Sequence, residues 1–472
     1  MCEGLSLYFT LINMFMINMF INRLRELGVL REFLKAEGSG LAVVYGRRRV
    51  GKTSLMLKLI SEFGGFYLYT PASSDIKAVL ESYWRTLPPP PGERSKWRGW
   101  RGFLSYLEVL GKSGVLVVID EFQRIQDAYK PAISILQEWW DLRLSKTKLK
   151  LILCGSTVGM IEKIAVEGSA PLYGRADLQF KLKSMDYISA RRFLKGVDEL
   201  ERLKVYSYLG GTPAYIERYD PNINLWENLK RIVLYPGAPL LEEPYRILLE
   251  EVRAIGSYND IMRQLSGRGL PLSKIKARRG SPMEYLKTLM RMDLVERIVP
   301  PTEAGKARPK RAIYRISDPF FRFWYSMVYP NLDRIERWVD ITPILRRDTQ
   351  HISITMEQVA CELAQHNLLT PNDKVVLAGP WWWKEEEIDC VAIGKRKTYI
   401  IECKVGRVRV EDVRELAGKA EIFKQVENWR RPVEKILFTP GATSKAYEEA
   451  RNVKVKIIEI NKLSRNLDQT EV

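Results

Sequence analysis

An α/β fold built on a parallel sheet is predicted by three stretches in which a buried apolar strand ends in residues that carry chemistry. The first is Leu41 to Tyr45, running into Gly46-Arg47-Arg48-Arg49-Val50-Gly51-Lys52-Thr53 and then a helix from Ser54 to Ile60. Strand, glycine turn and amphipathic helix in that order make a P-loop. The second is Val115 to Phe122, an apolar run tipped by Asp120 and Glu121; the third is Lys150 to Thr157, apolar until Ser156 and Thr157. Strands that do not alternate with polar residues are covered on both faces, as parallel sheets with crossover helices are.

Each tip has an expected task. The backbone N–H groups from Gly46 to Ser54 can point into one concavity, and the helix that follows adds the positive end of its dipole, so a polyphosphate binds with little reorganisation. Gly46 and Gly51 supply backbone angles closed to other residues. Lys52 is placed to reach the β- and γ-phosphates of ATP, and the Thr53 hydroxyl to ligate the Mg²⁺ that bridges them. Asp120 is expected to hold the same ion through water, and Glu121 to orient and deprotonate the attacking water. Ser156 is the first candidate for a γ-phosphate sensor, with Thr157 second.

The chain has 472 residues, room for about three domains, and its 46% apolar content is enough for real cores. Lysine and arginine number 75 against 57 acidic residues, a net charge of +18. That balance favours a polyanion such as DNA as partner, although a basic surface serving solubility gives the same count. Cys2, Cys154, Cys361, Cys390 and Cys403 are odd in number and widely spaced. They suit neither a disulfide framework nor a zinc site, and a reducing cytoplasm is the expected location. Leu5 to Phe20 is apolar but lacks a basic flank, a cleavage site and the length to span a bilayer, and no later segment reaches that length, so no membrane span is expected. Residues 1–18 repeat Met and fall outside the recognisable core, which makes Met14, Met16 or Met19 an alternative translation start.

The order Arg23, P-loop, Ile119-Asp120-Glu121-Phe122, Cys154-Gly155-Ser156-Thr157, Pro171 to Arg175 and Gly210-Gly211-Thr212-Pro213 resembles the archaeal ATPases of the AAA+/STAND class. The resemblance implies an Orc-like core with the Asp120 and Ser156 strands beside the P-loop strand. It also implies an adenine flanked by Arg23, from a leading Arg-x-x-Glu element, and by Pro213, from a Gly-x-Pro element. Leu24 stands where that family generally carries Glu. Arg175 becomes a candidate arginine finger, a structural ion pair being the other reading. A homo-oligomer through the ATPase domain, spanning residues 19–235, is compatible with it.

Residues 236–335 change to short helices. Tyr258 to Leu265, Leu272 to Arg279 and a Ser281-capped helix, followed by Leu294 to Val299 and Ala312 to Ile316, make three helices and a hairpin, a winged helix. Lys274, Lys276, Arg278, Arg279 and Arg291 are set to neutralise phosphates, with packing on partners as the alternative. Trp97-Arg98-Gly99-Trp100-Arg101, earlier in the chain, mixes aromatics and cations as single-strand binders do, but core packing explains it equally well.

Residues 336–472 carry a second constellation. Glu357 lies on a helix from Met356 to Leu363, followed by Glu387-Ile388-Asp389 and Glu402-Cys403-Lys404. With Lys395-Arg396 as the turn of a hairpin, counting back along both strands sets Asp389 opposite Glu402. Like charges facing each other among apolar neighbours call for a cation. The spacing resembles the PD-(D/E)XK nucleases and implies an α/β restriction-endonuclease-like domain. On that resemblance Asp389 and Glu402 hold Mg²⁺ or Mn²⁺, Lys404 stabilises charge or activates water, and Glu357 is the helix acid. The expected whole is an ATPase coupling nucleotide state to DNA binding or cleavage. The alternative is a STAND-type switch or transcription regulator whose C-terminal domain does not cut.

Overall fold

The computed structural model describes residues 21–88 and 97–468, so residues 1–18 and their possible start sites lie outside the described residues. The chain forms two compact units, the first ending at Lys183 and the second beginning at Ser184.

In the first unit, α1 (Leu24–Lys35) leads to β1 (Gly40–Tyr45), α2 (Lys52–Phe63) and β2 (Phe66–Tyr69). There follow α3 (Ile76–Trp84), α4 (Gly99–Gly111), β3 (Leu116–Asp120), α5 (Ala132–Leu142), β4 (Lys150–Gly155) and β5 (Leu178–Lys181). The strands order as β2-β3-β4-β1-β5, and every pairing is parallel. Side chains alternate across the sheet by the period of two. Leu41, Val43, Val117, Ile119, Leu151 and Leu153 pack with Leu80, Phe103 and Leu136 from α3, α4 and α5 on one face. Ala42, Val44, Val118 and Ile152 pack with Leu30, Leu55 and Leu59 from α1 and α2 on the other. Both faces are covered, which is why these strands read as unbroken apolar runs. One expectation needs refining: β4 pairs directly with β1, whereas β3 lies one strand further out. The Trp97 and Trp100 rings are also not a stacking platform, because Trp97 packs edge-on against Trp84 and Phe103 and Trp100 is buried.

In the second unit a continuous core runs from Met185 through Leu229, Leu248, Leu286, Phe320 and Trp324 to Ile352. Residues 184–235 therefore share a core with the segment expected to be a winged helix. That segment contains α7 (Ile255–Gln264), α8 (Pro282–Arg291) and the antiparallel pair β6 (Val295–Ile298) and β7 (Ile313–Ile316), after α6 (Glu199–Leu209). The helix expected over 272–279 is a single turn, Leu272–Lys274. Lys274, Lys276, Arg278 and Arg279 are all exposed, and Ile275 alone is buried there, so like charges crowd a stretch with no apolar face to pack.

Beyond it, α9 (Gln350–Gln365) precedes β8 (Val375–Trp383), β9 (Glu386–Gly394), β10 (Thr398–Cys403), α10 (Val410–Val426), β11 (Val433–Thr439) and β12 (Val455–Glu459). The sheet order is β12-β11-β10-β9-β8, with β10, β11 and β12 parallel and β8, β9 and β10 antiparallel. The hairpin register is the expected one, Ile393 facing Thr398 and Cys390 facing Ile401. A separate core of Ile388, Val391, Ile400, Leu416 and Phe423 lies against this sheet; Trp381 is buried in it, edge-on to Phe423, whereas Trp383 is exposed.

Glu362 of α9 caps the short helix Tyr187–Ala190, accepting from the N–H groups of Tyr187 at 3.0 Å and Ile188 at 2.8 Å. Burial, reinforced by the charge of Asp186, lifts its carboxyl from 4.5 to about 8. The folded chain then holds a proton that the unfolded chain releases between those values, so stability falls as pH rises through that window. Glu362→Gln keeps a carbonyl acceptor and cannot titrate. Melting temperatures measured from pH 5 to pH 8.5 should decline less steeply in Glu362→Gln than in the wild type; equal slopes would rule out this cap as a source of the decline.

Candidate nucleotide site and C-terminal acid centre

The P-loop backbone turns where only certain residues fit. Gly46 has φ of 154°, and a Cβ there would stand 2.1 Å from the Leu182 carbonyl oxygen. Gly51, at φ of 97°, opens α2, and Arg49 is also left-handed at 67°. Arg47 and Lys52 are buried, Val50 packs beneath the loop among Leu55 and Met56, and Ser54 follows in the first turn of α2. The Lys52 ammonium donates to the carbonyls of Gly46 at 2.7 Å and Arg47 at 2.8 Å. The Thr53 hydroxyl donates a hydrogen bond to Asp120 Oδ2 at 2.9 Å. A hydroxyl has one proton and two lone pairs, so the Thr53 oxygen keeps acceptor capacity for a cation. A hydroxyl beside a carboxylate at a helix N-terminus is the hard-oxygen set that Mg²⁺ takes with phosphates, and the site fits a Mg²⁺ nucleotide.

Glu121 follows β3 in a left-handed conformation, φ of 54°, an arrangement that costs energy and persists only where its surroundings impose it. Its Oε2 accepts from Ser156 Oγ at 2.7 Å and from Gln123 Nε2 at 2.6 Å, with Arg124 Nε at 3.7 Å. The carboxylate and the first sensor candidate are thus brought together, although they come from different strands. Thr157 precedes the short helix Val158–Ile161 and makes no capping bond with its side chain.

Arg23 is buried at φ of 66° and donates from Nη2 to the carbonyls of Val50 at 2.9 Å and Lys183 at 2.6 Å. Its Nη1 pairs with Glu26 at 2.8 Å. The glutamate of the Arg-x-x-Glu element is therefore Glu26, three residues on, and Leu24 is no departure from it. Arg175 is forked on Asp141, with both contacts at 2.7 Å, and lowers the Asp141 pKa through that hydrogen bond. This pair must open before Arg175 reaches any phosphate. Pro213 lies in the second unit, buried in the first turn of the helix Pro213–Ile216.

The C-terminal acids are also close together, but each is already engaged. Where the β9–β10 ladder ends, Cys403 N donates to Asp389 Oδ2 at 2.8 Å and Asp389 N lies 3.3 Å from Glu402 Oε1. Glu402 Oε2 takes Lys419 of α10 at 3.1 Å. Lys404, expected to serve Glu402, lies one residue past β10 and pairs instead with Asp412 at 3.1 Å. Glu357 takes Arg268 at 2.6 Å, and the same guanidinium reaches Glu387 at 3.0 Å. Burial, with the charge of Asp389, lifts Glu357 to about 7 and Glu402 to about 8, and burial raises Asp389 as well. Among the described residues, no three side chains of His, Cys, Asp or Glu are grouped so as to hold a metal ion. Nearby, Arg311 from the β6–β7 loop donates to Glu303 at 2.9 Å, Glu427 at 2.6 Å and the Trp382 carbonyl at 2.9 Å.

Residues 20–219 match a family described as an ATPase domain predominantly from Archaea. Over those residues the chain is similar to that archaeal ATPase family. Residues 324–416 match a family of archaeal and bacterial proteins of unknown function. An uncharacterized protein of Methanocaldococcus jannaschii is 28% identical over 407 residues, 84% of this chain and 90% of its own. An uncharacterized ATP-binding protein of Pyrococcus abyssi is 26% identical over 276 residues, 48% of this chain and 80% of its own. Among solved structures, a Walker-type ATPase of Pyrococcus abyssi superposes with a TM-score of 0.49 at 21% identity, over 65% of this chain and 96% of that one. Among the described residues no helix is long and apolar enough to cross a membrane.

Sequence reading of the ATPase domain missed Gln123 and Tyr67, neither of which belongs to a motif that announces it. In the second unit it missed Lys419, an ordinary helix cation until α10 folds back, and Arg268, set in a Ser-Gly-Arg-Gly turn. The tightest constraint is Gly46. Gly46→Ala forces the P-loop away from Leu182, and overpacking of this kind costs about 1–3 kcal/mol. Chemical denaturation should show that loss, accompanied by loss of nucleotide binding in calorimetry; wild-type stability in Gly46→Ala would contradict the close approach.

Proposed function

We propose that this protein hydrolyses ATP at the P-loop and uses the nucleotide state to control how its second unit engages DNA. The observation that carries the first part is the convergence of Thr53 on Asp120 and of Ser156 on Glu121 at the ends of neighbouring elements. Lys52 and the P-loop amides bind and orient the phosphates, and Thr53 and Asp120 would hold Mg²⁺. Mg²⁺ held there would supply Lewis-acid polarisation of the phosphate. Glu121 takes the proton of the attacking water, while Ser156 and Gln123 hold its carboxylate until the nucleotide arrives. Lys52→Ala is expected to abolish nucleotide binding. Glu121→Gln should still bind ATP, with turnover lower by about a hundredfold or more, the usual worth of a general base. Steady-state phosphate release measures both, and unchanged turnover in the two variants would sink the assignment.

For the second unit, DNA is supported by the net charge of +18 and by the exposed Lys274, Lys276, Arg278 and Arg279 beside α7 and α8. The order of α7, α8, β6 and β7 supports a winged-helix reading, and the C-terminal sheet with α9 and α10 a PD-(D/E)XK-like one. Engagement without cleavage is favoured, because Arg268 and Lys419 already neutralise Glu357 and Glu402 and Lys404 is paired elsewhere. Cleavage with Mg²⁺ or Mn²⁺ at Asp389 and Glu402 is the second form of the proposal. The four described thiols, Cys154, Cys361, Cys390 and Cys403, are free, in keeping with a reducing cytoplasm. Supercoiled plasmid incubated with Mn²⁺ distinguishes the two forms. The favoured one predicts binding that weakens with salt, no nicking, and about tenfold weaker binding when Lys276 and Arg279 are both changed to Ala. Nicking lost in Asp389→Ala would establish the other.

A further inference from the structure

Asp120 carries a third hydrogen bond that neither the P-loop nor its own strand supplies. β2 is the edge strand beside β3, with Tyr67 opposite Val118, two residues short of Asp120. From there the Tyr67 hydroxyl donates to Asp120 Oδ2 at 2.6 Å. The same oxygen takes Thr53 at 2.9 Å, and Oδ1 takes the Glu121 N–H at 2.8 Å. Three donors on two oxygens fix the plane of the carboxylate. Thr53 and Glu121 belong to the motifs that define the site, whereas Tyr67 is contributed by the edge strand.

We propose that Tyr67 is a positioning residue for the divalent-ion site, holding Asp120 so that its carboxylate meets the ion in one orientation. The inference rests on the P-loop as a Mg²⁺ nucleotide site and adds to it a residue outside both motifs. Tyr67 suits the role because its phenol hydroxyl is a donor, and it is aimed at Asp120 Oδ2 at 2.6 Å. Thr53 also donates to Oδ2, but its oxygen is the one expected to ligate the ion, whereas the Tyr67 hydroxyl is not among the expected ligands. Outer partners of this kind, lost one at a time, typically cost metal sites about ten- to a hundredfold in affinity.

Tyr67→Phe keeps the ring and removes only the hydroxyl. Its affinity for adenylyl imidodiphosphate, measured by calorimetry across a Mg²⁺ titration and again in EDTA, tests the role. The expected result is unchanged metal-free affinity and melting temperature, with the Mg²⁺ needed for half-maximal tight binding raised about tenfold. Turnover should recover at high Mg²⁺ with an unchanged KM. In an Asp120→Asn background the Tyr67→Phe change should add nothing, because the two act through one contact. Wild-type Mg²⁺ dependence in Tyr67→Phe overturns the proposal, as does an equal loss of metal-free binding, which marks a role in packing alone. A wild-type protein that binds the nucleotide no better in Mg²⁺ than in EDTA overturns the metal-nucleotide site itself, a failure distinct from that of Tyr67.

Discussion

Parallel pairing of β1, β3 and β4 puts three strand ends on one edge of one sheet, and the chemistry of the first unit depends on that constraint. Parallel strands of similar length all deliver their last residues to the same side, so the P-loop, the Asp120–Glu121 pair and Ser156 become neighbours although more than a hundred residues separate the first from the last. Crossover helices then cover both faces, and the apolar strands need no polar alternation. Hydrogen bonds finish the arrangement: Thr53 joins α2 to β3, and Ser156 joins β4 to the turn after β3.

The second unit is organised by a different necessity. Carboxylates taken out of water must be protonated or paired. Around the end of the β9–β10 hairpin, Glu357, Asp389 and Glu402 meet this in two ways, through raised proton affinity and through Arg268 and Lys419. The same economy appears at Arg311, which pairs with Glu303 in its own β6–β7 loop and with Glu427 and the Trp382 carbonyl of the C-terminal domain. Arg268 and Arg311 thus make one body of the helical segment and the sheet, in line with the two-unit division of the chain.

The sequence by itself determined the strand ends and what they carry. Glycine spacing, unbroken apolar strands and terminal acids are local properties, which is why Gly46 to Ser54, Asp120, Glu121 and Ser156 were legible, and why the hairpin turn alone set Asp389 opposite Glu402. The Glu26 partner of Arg23 is equally local, three residues on in the chain. Other partners were decided only by the tertiary structure. Tyr67 meets Asp120 because β2 pairs with β3, Lys419 meets Glu402 because α10 folds back over β10, and Arg268 meets Glu357 across 89 residues of chain. Arg175 was committed to Asp141, and the helix over 272–279 reduced to a turn, for the same reason: long-range packing and the pairing of charges are settled by which surfaces meet, and no residue's immediate neighbours contain that information.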